Sequence, residues 1–149
     1  MKIAHLCSPD VRVVSPDQPL ADAATVMCEQ HIGALVVVDS NDTQRRPIGI
    51  LTDRDVVRGQ FTRSADLYCL TVGDVMTRNP VILNGELQLS QAIALLSAHA
   101  VRRAPVVDSA GRLSGFVSLD DLMPALAAEI TAIAQLMGGQ SGREHASQG

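Results

Sequence analysis

The sequence predicts a mixed α/β (α+β) protein in which one strand–helix–strand–strand–helix unit is used twice. Three observations carry that prediction. Ala34-Leu35-Val36-Val37-Val38 is short and wholly apolar, the pattern of a strand buried on both faces. Two strand-to-helix junctions share a pattern, GILTDRD at Gly49–Asp55 and GFVSLDD at Gly115–Asp121. The residues around them also repeat. Leu20, Ala23, Val37, Val38, Asp39 and Ser40 return 69 positions later as Leu89, Ala92, Val106, Val107, Asp108 and Ser109. The offset falls to 66 at Gly49 and Gly115, because the loop 40–48 is longer than 109–114.

The elements follow in order. Residues 1–10 read as an irregular lead-in. Arg12-Val13-Val14 is a short strand ended by the turn cluster Ser15-Pro16-Asp17. Leu20, Ala23, Ala24 and Met27 have helix spacing, to about His31, with Gly33 as the stop. After the apolar strand and a polar loop, Pro47 to Leu51 is the next strand. Thr52 caps a helix over about 53–61, and a polar linker follows over 62–71. The second copy shows Leu89, Ala92, Ile93 and Leu96 at the same helical spacing. Pro124 lies too deep for the first turn of a helix begun at Leu119, so a kink or break is expected near Met123. Beyond it Leu126, Ile130, Ile133 and Met137 form an apolar stripe ending at Gly138-Gly139. That stripe covers either its own core or a subunit contact. The expected division is 1–62 for the first repeat and lead-in, 63–71 for a linker and 72–124 for the second repeat. A C-terminal helix over 125–138 and a disordered tail over 139–149 complete it.

Composition excludes several functions. Apolar residues make up 46% and aromatics 2%, so the core is aliphatic and bases would find few stacking platforms. A net charge of −4 argues against nucleic acid, which needs a basic face. No apolar run is long enough for a membrane span, and MKIAHLCSPD lacks the core of a signal peptide. Cys7, Cys28 and Cys69 are odd in number with no Cys-x-x-Cys pair, which fits reduced thiols in a cytoplasm. No metal-ligand cluster, activated nucleophile or paired acid–base set is visible, and His5, His31, His99 and His145 are scattered. The expectation is therefore no metal and no enzyme.

The junctions hold the candidate chemistry. A helix start gathers unpaired backbone N–H groups, and here a hydroxyl (Thr52, Ser118) and a carboxylate (Asp55, Asp121) join them. Gly49 and Gly115 permit close approach to the backbone. Such a place suits a ribose and its phosphate. The same Thr-x-x-Asp and Ser-x-x-Asp spacing also makes a capping box, in which the side chains satisfy the helix itself. Both readings stand at this point.

The order LTVGDVMTRNPVIL, IGALVVVD and RRAPVVD, GILTDRD and GFVSLDD resembles a tandem pair of CBS (cystathionine β-synthase) domains, over about residues 1–124. The resemblance implies two repeats packed pseudo-symmetrically as one module, a Bateman module. It implies two clefts for adenosine-containing ligands: AMP, ADP, ATP, S-adenosylmethionine or NAD. Asp55 and Asp121 would accept from the ribose hydroxyls, and Thr52 and Ser118 would hold the ribose or first phosphate. Backbone at Val13-Val14 and Ala34-Leu35, and at Ile82-Leu83 and Arg103-Ala104, would contact adenine. Arg54, Arg102, Arg103 or Arg112 would meet phosphates. Pro105 takes the usual form, and Val36 stands in its place in the first repeat, which singles out the Asp121 site as the better formed. The family's habit implies a flat homodimer through the helices at 20–31, 53–61, 89–100 and 119–123. With no catalytic or transport domain attached, the module is expected to regulate a separate protein or to act alone. The competing reading is an interaction module whose motifs merely cap helices.

Overall fold

The computed structural model describes residues 1–63 and 66–148, with side chains as far as 138. Two sheets result. The first has the order β1 (Val13–Val14), β2 (Ala34–Val38), β3 (Pro47–Thr52) and β4 (Thr77–Arg78); the second has β5 (Leu83–Asn84), β6 (Arg103–Val107) and β7 (Leu113–Ser118). The helices are α1 (Leu20–Gln30), α2 (Asp53–Arg63), α3 (Val72–Val75), α4 (Leu89–Ala98) and α5 (Leu119–Gln148). In each sheet the first pair is parallel and the next antiparallel, and the registers match across the repeat. Val13 and Val14 pair with Val36 and Val37, as Leu83 and Asn84 pair with Val106 and Val107.

β2 is buried along its whole length. Period-two alternation sends Leu35 and Val37 into a core with α1. Val36 points the other way and, with Ala34, lines a cleft shared with the second repeat. In the second sheet Ala104 and Val106 play the inward part.

The lead-in is not irregular. Ile3–His5 form a turn of 3₁₀ helix, and Ile3 is fully buried. It lies in the core of the second repeat, with Leu83, Leu89 and Val117. Conversely Leu70, Val72 and Met76, which precede the strands of the second sheet, lie in the core of the first with Leu20 and Leu51. The two leaders are therefore exchanged, and their bonds correspond. Ile3 N donates to Leu87 O at 2.9 Å and Ala4 N to Gly85 O at 2.9 Å; Val72 N donates to Gln18 O at 2.9 Å and Gly73 N to Pro16 O at 2.8 Å. The linker expected over 62–71 is polar only in part. α2 runs to Arg63, a 3₁₀ turn covers Leu67–Cys69 and Leu70 is buried. Its Ser64 and Ala65 lie outside the described residues.

α1 ends where expected but on a different residue, and α5 runs on where a kink or break was expected. α1 stops at His31, which takes the left-handed conformation (φ 53°) and donates its N–H to Met27 O, so Gly33 is not the stop. Ala100 does the same work after α4 (φ 53°). Pro124 sits inside α5 without breaking it. It is the sixth residue of that helix, so its missing N–H costs a single bond, to the carbonyl of Asp120. Leu122 (0% exposed) and Ala125 on either side are held in the second core. α5 carries the backbone to Gln148, across the boundary placed at 138. The tail expected from 139 falls where side chains, and all of Gly149, lie outside the described residues. Of the apolar stripe, Leu126 packs on the second core, while Ile130, Ile133 and Met137 are exposed.

Candidate ligand-binding clefts

Each junction turns a strand directly into a helix, and each helix start is closed by a reciprocal capping box. Thr52 N donates to Asp55 Oδ2 at 3.0 Å and Asp55 N to Thr52 Oγ1 at 3.1 Å; Ser118 N donates to Asp121 Oδ2 at 3.0 Å and Asp121 N to Ser118 Oγ at 3.2 Å. Further donors are also spent. Asp53 N reaches Gly33 O at 3.1 Å, Arg54 N reaches Asp53 Oδ1 at 2.8 Å, and Leu119 N reaches Arg102 O at 2.6 Å. The first turn of α2 thus offers no ready cluster of open N–H groups.

Capping does not use up the carboxylates. An ionised carboxylate has about four lone-pair sites, and Asp121 Oδ1 accepts no hydrogen bond among the described residues. Asp55 is more fully engaged, because Thr77 Oγ1 stands 3.3 Å from both of its oxygens.

Two clefts flank these junctions. The larger, about 780 Å³, is lined by Ser8, Asp10, Val11 and Arg12 from the leader. Gln30 to Ala34 and Val36 from the first repeat, and Arg103, Phe116, Ser118, Asp120 and Asp121 from the second, complete it. The smaller, about 340 Å³, is lined by Thr77, Pro80 and Val81, by Ala100 to Arg103, and by Ile50, Thr52, Asp53 and Arg54. The repeat relates much of the two linings, for instance Ser8 to Thr77, His31 to Ala100, Phe116 to Ile50, and Ser118 to Thr52.

This geometry crosses the expected sites. Ser118 and Asp121 share their cleft with 8–12 and 30–36, and Thr52 shares its cleft with 77–81 and 100–103. Val36 therefore lines the Asp121 cleft, so its replacement of the usual proline cannot mark the Asp55 site as the poorer one. Of the expected residues, Ala34, Arg103, Ser118 and Asp121 line the larger cleft, and Thr52, Arg54, Arg102 and Arg103 the smaller. Asp55 lies beside the smaller cleft, behind Thr77. Val14, Leu35, Leu83 and Ala104 are core residues, and Val13, Ile82 and Pro105 line neither cleft. Arg112 is bound up elsewhere, 3.6 Å from Asp108.

Gly49 and Gly115 also have another role. A side chain on Gly49 would meet Met76 Sδ and Thr77 O, both at 2.9 Å, and one on Gly115 would meet Ser8 O at 3.0 Å. The close neighbour at each is the exchanged leader, which Ser8 joins to Phe116 and Thr77 to Ile50. The lining residues not foreseen include Asp10, Arg12, Ile32, Phe116 and Asp120. For the leader alone the sequence carries a signal, since the 69-residue offset matches Cys7 to Met76 and Ile3 to Val72.

Two repeats that share a pair of related clefts make one double module. The chain belongs to the CBS-domain family: the CBS domain model matches residues 3–61 and 72–128. Such a CBS pair is a regulatory module. An uncharacterised 17.7 kDa protein of Acidianus ambivalens is 34% identical over 125 residues, covering 84% of this chain and 73% of that protein. Inosine-5'-monophosphate dehydrogenase of Methanocaldococcus jannaschii is 35% identical over 114 residues, 76% of this chain but 21% of that enzyme. Among solved structures, CBSX2 in complex with AMP superposes with a TM-score of 0.72 at 29% identity, covering 87% of this chain and 98% of that one. No helix among the described residues is long and apolar enough to cross a membrane.

Proposed function

We propose that this CBS pair senses adenosine-containing ligands and passes their binding on as a change of shape or of dimer contacts. The ligand class is AMP, ADP or ATP, with S-adenosylmethionine and NAD as further members. The observation that carries the reading is the larger cleft, where Asp121 keeps one carboxylate oxygen unspent beside Ser118 and two arginines, Arg12 and Arg103. That oxygen accepts from the ribose hydroxyls, Ser118 meets the ribose or first phosphate, and the guanidiniums meet phosphate. Thr52 and Arg54 play the matching parts in the smaller cleft, where Asp55 is reached past Thr77. The AMP complex of a chain with the same fold supports the choice of ligand. Exposed Val57 and Phe61 on α2, Leu95 on α4 and Met123 on α5 support a homodimer through the helix faces. The free thiols Cys7, Cys28 and Cys69 fit a cytoplasmic setting.

The test is calorimetric titration with a panel of adenosine ligands and their guanosine counterparts. Up to two adenosine ligands should bind per chain. Guanosine ligands should bind more weakly, because a pocket matched to the adenine edge leaves polar groups unpaired against guanine. Equal affinity for AMP and GMP, or no adenosine ligand binding below about 1 mM, would leave the module as an interaction domain whose carboxylates only cap helices.

A further inference from the structure

The two clefts meet at one side chain. Arg103 lines both of them. Its Nη1 stands 3.1 Å from where a side chain on Gly33 would begin, and Asp53 Oδ2 stands 3.7 Å from the same point. The guanidinium therefore lies over the bare backbone of Gly33, between the larger cleft, which Gly33 lines, and the smaller, which Asp53 lines. Among the described residues no carboxylate comes within ion-pair distance of it. The repeat does not supply a twin, because Ala34 occupies the matching position and Gly33 matches Arg102. The symmetry that doubles the clefts leaves this cation single.

The geometry points to Arg103 as a phosphate anchor shared by the two clefts, so that an anionic nucleotide in one weakens the binding of a second in the other. The inference rests on the adenosine reading given above. One guanidinium can be drawn fully to one phosphate, where its charge-assisted bonds are strong. The second nucleotide then finds the anchor engaged. A bond to a charged group contributes about 1.5–3 kcal/mol, so the second step should be about 10-fold weaker or more. Linkage makes the effect reciprocal between the clefts. Adenosine has no phosphate and should show none of it.

Two titrations test this, with AMP and adenosine as the probes. In the parent protein, the ratio of first to second dissociation constants should differ between AMP and adenosine by about 10-fold. In Arg103→Ala that difference should vanish. Val101→Trp then obstructs the smaller cleft and Val11→Trp the larger, each leaving one cleft to titrate. Adding Arg103→Ala should weaken AMP about 10-fold in both single-cleft proteins, while adenosine changes less than about 2-fold. If only one single-cleft protein loses AMP affinity, Arg103 serves one cleft and the inference falls. If the parent shows the same step ratio for AMP and adenosine, it falls as well, whether or not the tryptophan variants fold. Failure of the parent to bind either probe would overturn the adenosine reading itself, a result distinct from two equal, independent AMP sites.

Discussion

Asp121 caps α5 and, in the proposed function, also holds ribose; two substitutions separate these roles. Its Oδ2 accepts from Ser118 N at 3.0 Å, and its Oδ1 accepts no hydrogen bond among the described residues. Asp121→Ala removes both. The cap is a single bond in an exposed setting, so its loss should cost about 0.5–1 kcal/mol, at the low end of the capping range. That lowers Tm by roughly 1–4 °C at this chain length. Asp121→Asn keeps a carbonyl oxygen to serve as the cap and presents an amide N–H₂ where the ribose hydroxyls expect an acceptor. Its free stability should stay within about 0.5 kcal/mol of the parent. An adenosine ligand at 100 times its dissociation constant should stabilise the parent by about 2.7 kcal/mol per site. Both variants should lose most of that at the larger cleft. The assay is a set of melting curves with and without AMP. An Asp121→Asn protein that keeps the full AMP shift would refute the ribose role and leave the carboxylate as a cap.

Gly49→Ala places a methyl group 2.9 Å from Thr77 O, a backbone atom of β4 that cannot step aside cheaply. It should cost about 1–3 kcal/mol by urea denaturation, and a loss under about 0.5 would show that β4 yields readily. Phe61→Asp sets a charge on the exposed face of α2. It should shift the light-scattering mass from a dimer toward the 15.8 kDa monomer; a parent already monomeric across micromolar concentrations would end the dimer proposal. Three carboxyls are held below their ordinary values: Asp42 by a hydrogen bond from the Arg46 side chain, Asp74 by the backbone N–H of Thr71, and Glu86 by a hydrogen bond from Lys2. The stability they add is complete above the ordinary values of 3.8 and 4.5 and is lost as pH falls through the lower folded ones. Urea midpoints should therefore hold near neutrality and decline below about pH 4. A midpoint unchanged down to about pH 3 would show that these bonds do not stabilise the fold.

What could be read from the sequence was local, and what could not depends on how the halves meet. Five apolar residues in a row announce β2, and the junction patterns announce Thr52–Asp55 and Ser118–Asp121. The end of α1 near His31 was legible, but not that His31, or Ala100 after α4, takes the left-handed position, because neither is the glycine that it usually calls for. The roles of Gly49 and Gly115 were legible as close approach, but not that the approaching strand is the chain's own leader. The pairing of Asp121 with residues 10–12 follows from the exchange of leaders and from the sheet faces turned toward each other. Neither is written in any window of sequence. Pro124 reads as a break by local rules, and burial of Leu122 beside it outweighs one absent hydrogen bond.

The exchanged leaders set an order of events on the ribosome. The segment around Val72 emerges soon after β1, β2 and β3 and can dock at once, bringing β4 with it. The segment around Ile3 is made first and has nothing to hold. Its bonding partners begin at Gly85 and Leu87, and the strand that Ser8 joins ends at Ser118. Until those residues are made, the segment around Ile3 waits for its socket, open to chaperones and proteases. A tag or fusion placed ahead of Met1 bears directly on that wait, because the Met1 ammonium itself reaches Gln88 Oε1 at 2.8 Å. One fused behind Gly149 leaves that ammonium in place.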